Sequence, residues 1–258
     1  VKIVMSMTGI KLRFYQSLND FIRPALRHAA INFPLDRKAS IKDMIESFNV
    51  PHTEIDLILV NGSAVDFSYI VQTGDDIQVY PAGENVNATE LPQLRPALPQ
   101  PLKFVVDVNL GKLARNLRLL GIDCCYQNDY GDDAVALISS EEQRIVLTRD
   151  RTLLRRKIIV YGYYVRADLP MTQTREVLRK FDLYSLLNPL TRCTHCNGQF
   201  REIDKKTIEH RLEPLTKKHY QHFLVCSHCQ QIYWQGSHHV HLRGLIEELS
   251  IPSSVRNR

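Results

Sequence analysis

Residues 104–120 read FVVDVNLGKLARNLRLL, and the fold of the larger part of the chain is decided there. Phe104 to Val108 is an apolar run interrupted by Asp107 alone, the pattern of a strand buried on both faces of a parallel sheet. Leu110, Leu113, Ala114 and Leu117 follow at helical spacing with Lys112, Arg115 and Arg118 off that face, and Gly121 supplies a left-handed stop. The alternation then continues. Strands are expected over Ile122–Tyr126, Ile145–Thr148 and Ile158–Val165, and helices over Asp133–Ser140, Thr152–Arg156 and Thr172–Phe181. Repeated βα units of this length predict a parallel sheet with right-handed crossovers.

Upstream, Ile10–Tyr15 alternates apolar and polar residues as a half-buried strand does. Ser40 and Asp43 approximate a capping box ahead of Ile41, Met44, Ile45 and Phe48. Asp56–Val60, the turn Asn61-Gly62 and Ser63–Asp66 make a hairpin signal, and Asp76–Tyr80 is a last strand. Strands in this order around one helix predict a small β-grasp. Between Tyr80 and Lys103 come Pro81, Pro92, Pro96, Pro99 and Pro101 without periodicity, a semi-stiff linker. The expected organisation is therefore 1–82 as the β-grasp, 83–102 as the linker, 103–188 as the α/β domain and 189–250 as a cysteine- and histidine-rich ribbon with a C-terminal helix.

Three acids stand at the ends of the α/β strands. Asp107 closes the first, Asp132 opens the helix after the second, and Asp150 follows the third in Leu147-Thr148-Arg149-Asp150. In a parallel sheet the C-terminal strand ends share one edge, where ligands bind. Carboxylates converging there repel unless a cation joins them, and magnesium or manganese prefers oxygen ligands. Asp132 and Asp150 read equally well as helix caps, and Asp129 or Asp133 could take the place of Asp132. Asp107 differs, because a carboxylate inside Phe-Val-Val-Asp-Val is costly to bury without a partner.

Six cysteines fall into the adjacent pair Cys124-Cys125, read as small core residues, and two knuckles, Cys193-x2-Cys196 and Cys226-x2-Cys229. Each knuckle presents two thiolates at the bite of one tetrahedral zinc, and four thiolates leave no open coordination position, so the zinc is expected to be structural. Basic and aromatic residues interleave between and beyond the knuckles, including Lys217-Lys218, Tyr220 and Tyr233-Trp234, as in proteins that hold single-stranded RNA. His238, His239 and His241 read as a polar helix start ahead of Leu242, with a second metal site the weaker alternative.

These motifs carry a resemblance. Phe104 to Arg115, Leu117 to Asp123 and Arg144 to Arg151 resemble the Mut-seven C-terminal RNase domain, a PIN-like nuclease fold with an appended zinc ribbon. Arg13-Phe14-Tyr15, Val50-Pro51-His52-Thr53-Glu54, Val60-Asn61-Gly62 and Gly74-Asp75-Asp76 resemble the ubiquitin-like domain, close to sulfur carriers, that precedes it. Sulfur carriers end in a free Gly-Gly, whereas here Tyr80-Pro81-Ala82-Gly83-Glu84 runs on into the linker, so carrier chemistry is not expected. The resemblance implies a metal-dependent ribonuclease with Asp107, Asp132 and Asp150 at the acidic positions, Thr148 beside Asp150, and a homodimer. Asn109 departs from a bulkier apolar residue in the family; its amide would orient a water on the metal or cap the helix.

Lys112 and Arg115, one helical turn apart, and Arg149 and Arg151, flanking Asp150, are expected phosphate contacts; solvated helix faces are the plain alternative. Charge points the same way. Residues 1–100 hold 9 basic against 11 acidic side chains, and the remainder 24 against 17, so a polyanion meets the second part. With 44% hydrophobic and 24% charged residues, the chain of 258 has an ordinary globular composition, which excludes disorder and collagen-like repeats. No apolar run approaches the roughly 18 residues that span a bilayer, and the N-terminus lacks a secretory pattern, so a cytoplasmic location away from membranes is expected. The expected function is metal-dependent RNA hydrolysis, with the ribbon aiding RNA binding and the β-grasp available to a protein partner. The alternatives are a non-catalytic RNA-binding adaptor and a protein-interaction scaffold.

Overall fold

The computed structural model describes residues 9–81 and 94–251, and the backbone alone over 237–241. Of the expected linker, 83–93 lies outside the described residues. The chain forms two compact units, 1–99 with 150–164 and 100–149 with 165–258. The stretch 103–188, expected as one domain, is thus shared between them.

The first unit is built on strands β1 (Gly9–Phe14), β2 (Ile31–Pro34), β3 (Ile55–Val60), β4 (Ser63–Ala64) and β5 (Asp76–Pro81), with helix α1 (Ile41–Ser47). The sheet order is β2-β1-β5-β3-β4, with β1 and β5 parallel and the other pairs antiparallel. This is the β-grasp arrangement expected from the sequence. Ser40 caps α1, its Oγ accepting the Asp43 N–H at 3.1 Å. Asn61 and Gly62 both take positive φ, +50° and +84°, as a two-residue hairpin requires. Leu12, Ile41, Ile45, Ile58 and Ile77 form the core beneath the sheet.

The α/β part follows with β6 (Phe104–Val106), α2 (Gly111–Leu119), β7 (Cys124–Cys125), α3 (Asp132–Glu142) and β8 (Ile145–Thr148). β6 lies between β7 and β8 and pairs in parallel with both. All four residues of β8 are buried, the two-sided burial that its unbroken apolar run predicts. Gly121 ends α2 with φ +87°. The chain then enters the first unit with α4 (Arg151–Leu154) and β9 (Gly162–Tyr164). The expected strand over 158–165 is confined to Gly162–Tyr164, and the Ile159 carbonyl instead accepts from His52 Nε2 at 3.0 Å.

Returning to the second unit, α5 (Pro170–Lys180) packs on α2, where Asn116 Nδ2 donates to Thr174 Oγ1 at 3.0 Å. The ribbon comprises β10 (Phe200–Ile203), α6 (Lys205–Ile208), α7 (Pro214–His219), β11 (Phe223–Cys226) and β12 (Ile232–Trp234), its strands forming an antiparallel sheet. α8 (Ser237–Ser250) follows, tied to α5 by an Arg175–Glu248 ion pair of 2.6 Å. Among the described residues no helix is long and apolar enough to cross a membrane.

Candidate active site and metal centre

β6 ends at Val106, and Asp107 begins the turn into α2 with its N–H bonded to Leu147 O at 3.0 Å. Its side chain is 4% exposed and makes no capping bond to the helical turn that follows. Instead, Oδ2 accepts from Thr148 Oγ1 at 2.8 Å and from Asn109 Nδ2 at 3.5 Å. Thr148 is wholly buried at the end of β8, so the pleat of two neighbouring parallel strands delivers acid and hydroxyl to the same edge. A buried carboxylate held by neutral donors is costly. Among the described residues no lysine or arginine pairs with Asp107.

The other acids are placed differently. Asp132 is the first residue of α3, partly exposed and without a capping bond of its own; Asp133 and Asp129 beside it are exposed. Asp150, in the first unit, caps α4, its Oδ1 accepting the Thr152 N–H at 2.6 Å. Among the described residues the aspartates belong to no group of three ligand atoms all within 4.8 Å of one another. They do not form a closed cage of direct ligands. Magnesium rarely needs one, since one or two carboxylates and several waters suffice.

Of the expected phosphate contacts, Lys112, Arg115 and Lys218 are exposed. Lys217 is half-exposed and pairs with Glu209 at 3.0 Å. Arg149 is engaged along the chain that leads into α5: it donates to the carbonyls of Arg166 and Ala167 and pairs with Asp168 at 2.6 Å. Arg151, in the first unit, lies over the rings of Phe21 and Tyr164 at 5.1 and 5.4 Å. Residue type alone made these two arginines look like phosphate ligands; their protein partners sit too far along the chain to be read from neighbouring residues.

The four cysteines do converge. Cys193, Cys196, Cys226 and Cys229 place their sulfurs within 4.8 Å of one another, with Cys193–Cys229 at 3.6 Å and Cys196–Cys226 at 3.4 Å. These separations far exceed an S–S bond of about 2.05 Å. They approach the roughly 3.8 Å edge of a tetrahedron whose metal–sulfur bonds are about 2.3 Å. The two knuckles are copies of one turn. In the first, Cys193 N–H bonds Gly198 O and Asn197 N–H bonds Cys193 O; in the second, Cys226 N–H bonds Gln231 O and Gln230 N–H bonds Cys226 O. Asn197 and Gln230 hold the matching left-handed position, φ +70° and +59°. A Cβ on Gly198 would lie 2.7 Å from Cys226 Sγ, so only glycine leaves the centre its room.

The thiols are electrostatically unequal. Burial alone would raise Cys226, but the backbone N–H groups of Cys229 and His228 outweigh it and bring the thiol down to about 7. Burial, and then the neighbouring thiols, push Cys229 up to about 12. A metal ion removes this conflict by binding all four as thiolates. The side chains of His238, His239 and His241, weighed above as ligands of a second metal, lie outside the described residues.

Sequence reasoning missed what joins the ribbon to the α/β sheet. Arg118 is 2% exposed and donates to the carbonyls of Cys124, Tyr126, Thr194 and His195, two on each side of the junction. Asp123 pairs with Arg144 at 2.6 Å and Arg192 at 3.2 Å and accepts from Asn197 Nδ2 at 2.9 Å. Burial would raise Asp123, yet Arg144, Asn197 and Arg192 together hold its carboxyl below the ordinary value. The available signal was Arg118 itself, a charge next to Leu117 and Leu119 on a helix otherwise legible as amphipathic.

Over the ribbon runs an open groove of about 1410 Å³. Trp234, 41% exposed, and Tyr220 line it with ring centroids 6.5 Å apart, while Arg115, Lys205, Lys206 and His222 bring positive or ionisable groups to it. Glu202 and Asp204 are the acids on its lining, and Asp204 is occupied in capping α6.

Comparison with protein families agrees with this arrangement. The family described as "Mut7-C ubiquitin" matches residues 7–87, over the β-grasp. Searches of curated proteins and of solved structures return no match. The family described as "Mut7-C RNAse domain" matches residues 102–246, more than half of the chain and all of the α/β sheet and ribbon, and the chain belongs to that family.

Proposed function

We propose that the protein is a metal-dependent ribonuclease whose acids are Asp107, Asp132 and Asp150. The observation that carries the reading is the burial of Asp107 with no lysine or arginine paired to it among the described residues, hydrogen-bonded by Thr148 at the C-terminal edge of a parallel sheet. The donor set fits magnesium or manganese, which take hard oxygen ligands and retain water in the remaining positions. Such an ion, when bound, supplies a nucleophile at neutral pH and stabilises the charge that develops on a phosphodiester. Asp107 would hold it, Thr148 fixes the rotamer of Asp107, and Asn109 restrains the same oxygen from the start of the helical turn.

The four cysteines hold zinc in this reading, and zinc closes the ribbon rather than taking part in hydrolysis. Reduced thiols of this kind suit a cytoplasmic location. The groove over the ribbon binds single-stranded RNA, with bases on Trp234 and Tyr220 and backbone phosphates met by Arg115 and Lys205, and by Lys218 on the neighbouring helix. Lys112 extends the positive field toward the sheet edge. Arg149 and Arg151 act through the protein groups they already hold.

A second reading has support in one observation: Asp150 is a working helix cap, as a non-catalytic RNA-binding adaptor would have it. Cleavage of a mixed single-stranded and structured RNA pool with manganese, magnesium or EDTA separates the two. The nuclease reading expects metal-dependent products that fall by about a hundredfold or more in Asp107→Asn, while RNA still quenches the fluorescence of the single tryptophan. RNA binding without cleavage under any metal favours the adaptor.

A further inference from the structure

Segment 150–164, which carries α4 and β9, belongs to the first unit. It is held there by residues that the proposed chemistry leaves without a task. The His52 ring bridges two elements, Nδ1 meeting Glu46 Oε1 at 2.8 Å and Nε2 meeting Ile159 O at 3.0 Å. A carbonyl only accepts, so Nε2 is the donor. Two residues on, Glu54 Oε1 accepts the Tyr164 N–H at 2.6 Å. Arg151 lies across Phe21 and Tyr164 and donates to Phe21 O at 3.4 Å, and Arg155 donates to Glu46 O at 3.3 Å. A Cβ on Gly162 would come within 2.5 Å of Leu154 and 3.4 Å of Thr53, so the segment closes on itself and on the module at that point.

Apolar packing alone would not need this chemistry. Glu54 is 3% exposed and His52 8%, and burying such groups costs several kcal/mol unless their hydrogen bonds are made. Both make them to backbone atoms of one segment more than 100 residues away. The same segment cannot hold itself. α4 has four residues, far below the length at which a helix is stable alone, and Asp150 is its cap. The conformation of Asp150 therefore depends on what grips the residues after it.

We propose that the N-terminal β-grasp module is an internal clamp: the Val50–Glu54 stretch seizes segment 150–164 through His52 and Glu54 and thereby positions Asp150 for the reaction. The occupant of this face of the module is the chain's own segment rather than another protein. His52 and Glu54 are positioning residues, and the proposal rests on the nuclease reading only through the role given to Asp150.

The test uses the full zinc-loaded chain, measuring amide hydrogen exchange together with steady-state RNA cleavage. Glu54→Ala and His52→Ala are expected to speed exchange across 150–164 by about tenfold or more while β3 and β5 stay protected. In the same variants kcat falls by up to about a hundredfold with KM for RNA little changed. Glu54→Gln, which keeps an oxygen for the Tyr164 N–H, restores both. Should the alanine variants expose β3 and β5, Arg155→Ala cuts a link at the edge of the contact and is expected to loosen the segment more mildly. Unchanged exchange over 150–164 overturns the clamp, as does a loosened segment with wild-type kcat. Loosening in a protein whose wild type cleaves nothing keeps the clamp and removes the nuclease reading.

Discussion

Cys193, Cys196, Cys226 and Cys229 meet because two short turns with the same hydrogen bonds present them in pairs, whereas Asp107 and Thr148 meet because two neighbouring parallel strands, 41 residues apart at those positions, end at one edge. The first site is local: four sulfurs lie within 4.8 Å of one another, beside a glycine whose Cβ would crowd Cys226 Sγ. The second is assembled by the sheet, which sets the Thr148 hydroxyl 2.8 Å from Asp107 Oδ2. Under the proposed function, removing metal should therefore undo structure at one site and chemistry at the other.

The largest effect should come from chelating the zinc proposed for the four cysteines. Zinc sites of this type contribute an apparent 10–16 kcal/mol to folding, about as much as a whole domain's stability. Hydrogen exchange after chelation should lose protection in β10, β11 and β12 and retain it in β6 and β8. Equal loss in both sheets would mean that the two sites are not separately supported.

Arg118→Ala sharpens the comparison at the junction. It strands four carbonyls that Arg118 now satisfies, and the expected cost is about 2–4 kcal/mol, read as a lowered Tm with zinc content intact. A neutral result would make the ribbon an independent appendage. Thr148→Val should cost less stability, about 1–2 kcal/mol, because it removes one buried hydrogen bond to a charged group. It should lower metal-dependent cleavage by about tenfold while leaving zinc untouched.

The smallest effect is one of pH. Burial opposes ionisation of Asp123, but Arg144, Asn197 and Arg192 prevail, so its folded value lies below 3.8. The sign follows from linkage: the contribution of Asp123 is present above 3.8 and is lost as pH falls through the folded value. The stability gap between wild type and Asp123→Asn should narrow below that pH, measured by denaturant unfolding. A gap that widens on acidification would reverse the assignment.

Legibility in the sequence followed the same division between local and long-range causes. The knuckles, the Ser40 cap and the Asn61-Gly62 turn are local chemistry and read directly. Asp107 was legible because an acid in an apolar strand is an exception that demands a cause. β2 was not, since Ile31-Asn32-Phe33-Pro34 is too short a run for its alternation to stand out and ends in a proline. Of Ile158–Val165 only Gly162–Tyr164 became a strand, because hydrophobicity does not distinguish a residue paired in a sheet from one whose carbonyl is taken by His52. Arg149 and Arg151 have the right charge for phosphate, but their partners, at Asp168 and at Phe21, become visible only once the chain has folded.

The central claim is that Asp107 marks a divalent-ion site separate from the four-cysteine centre. Manganese titration of the zinc-loaded full chain, followed by electron paramagnetic resonance, tests it most directly. The account predicts saturable manganese binding that weakens by about tenfold or more in Asp107→Asn, with zinc content unchanged. Equal manganese affinity in wild type and Asp107→Asn would contradict it.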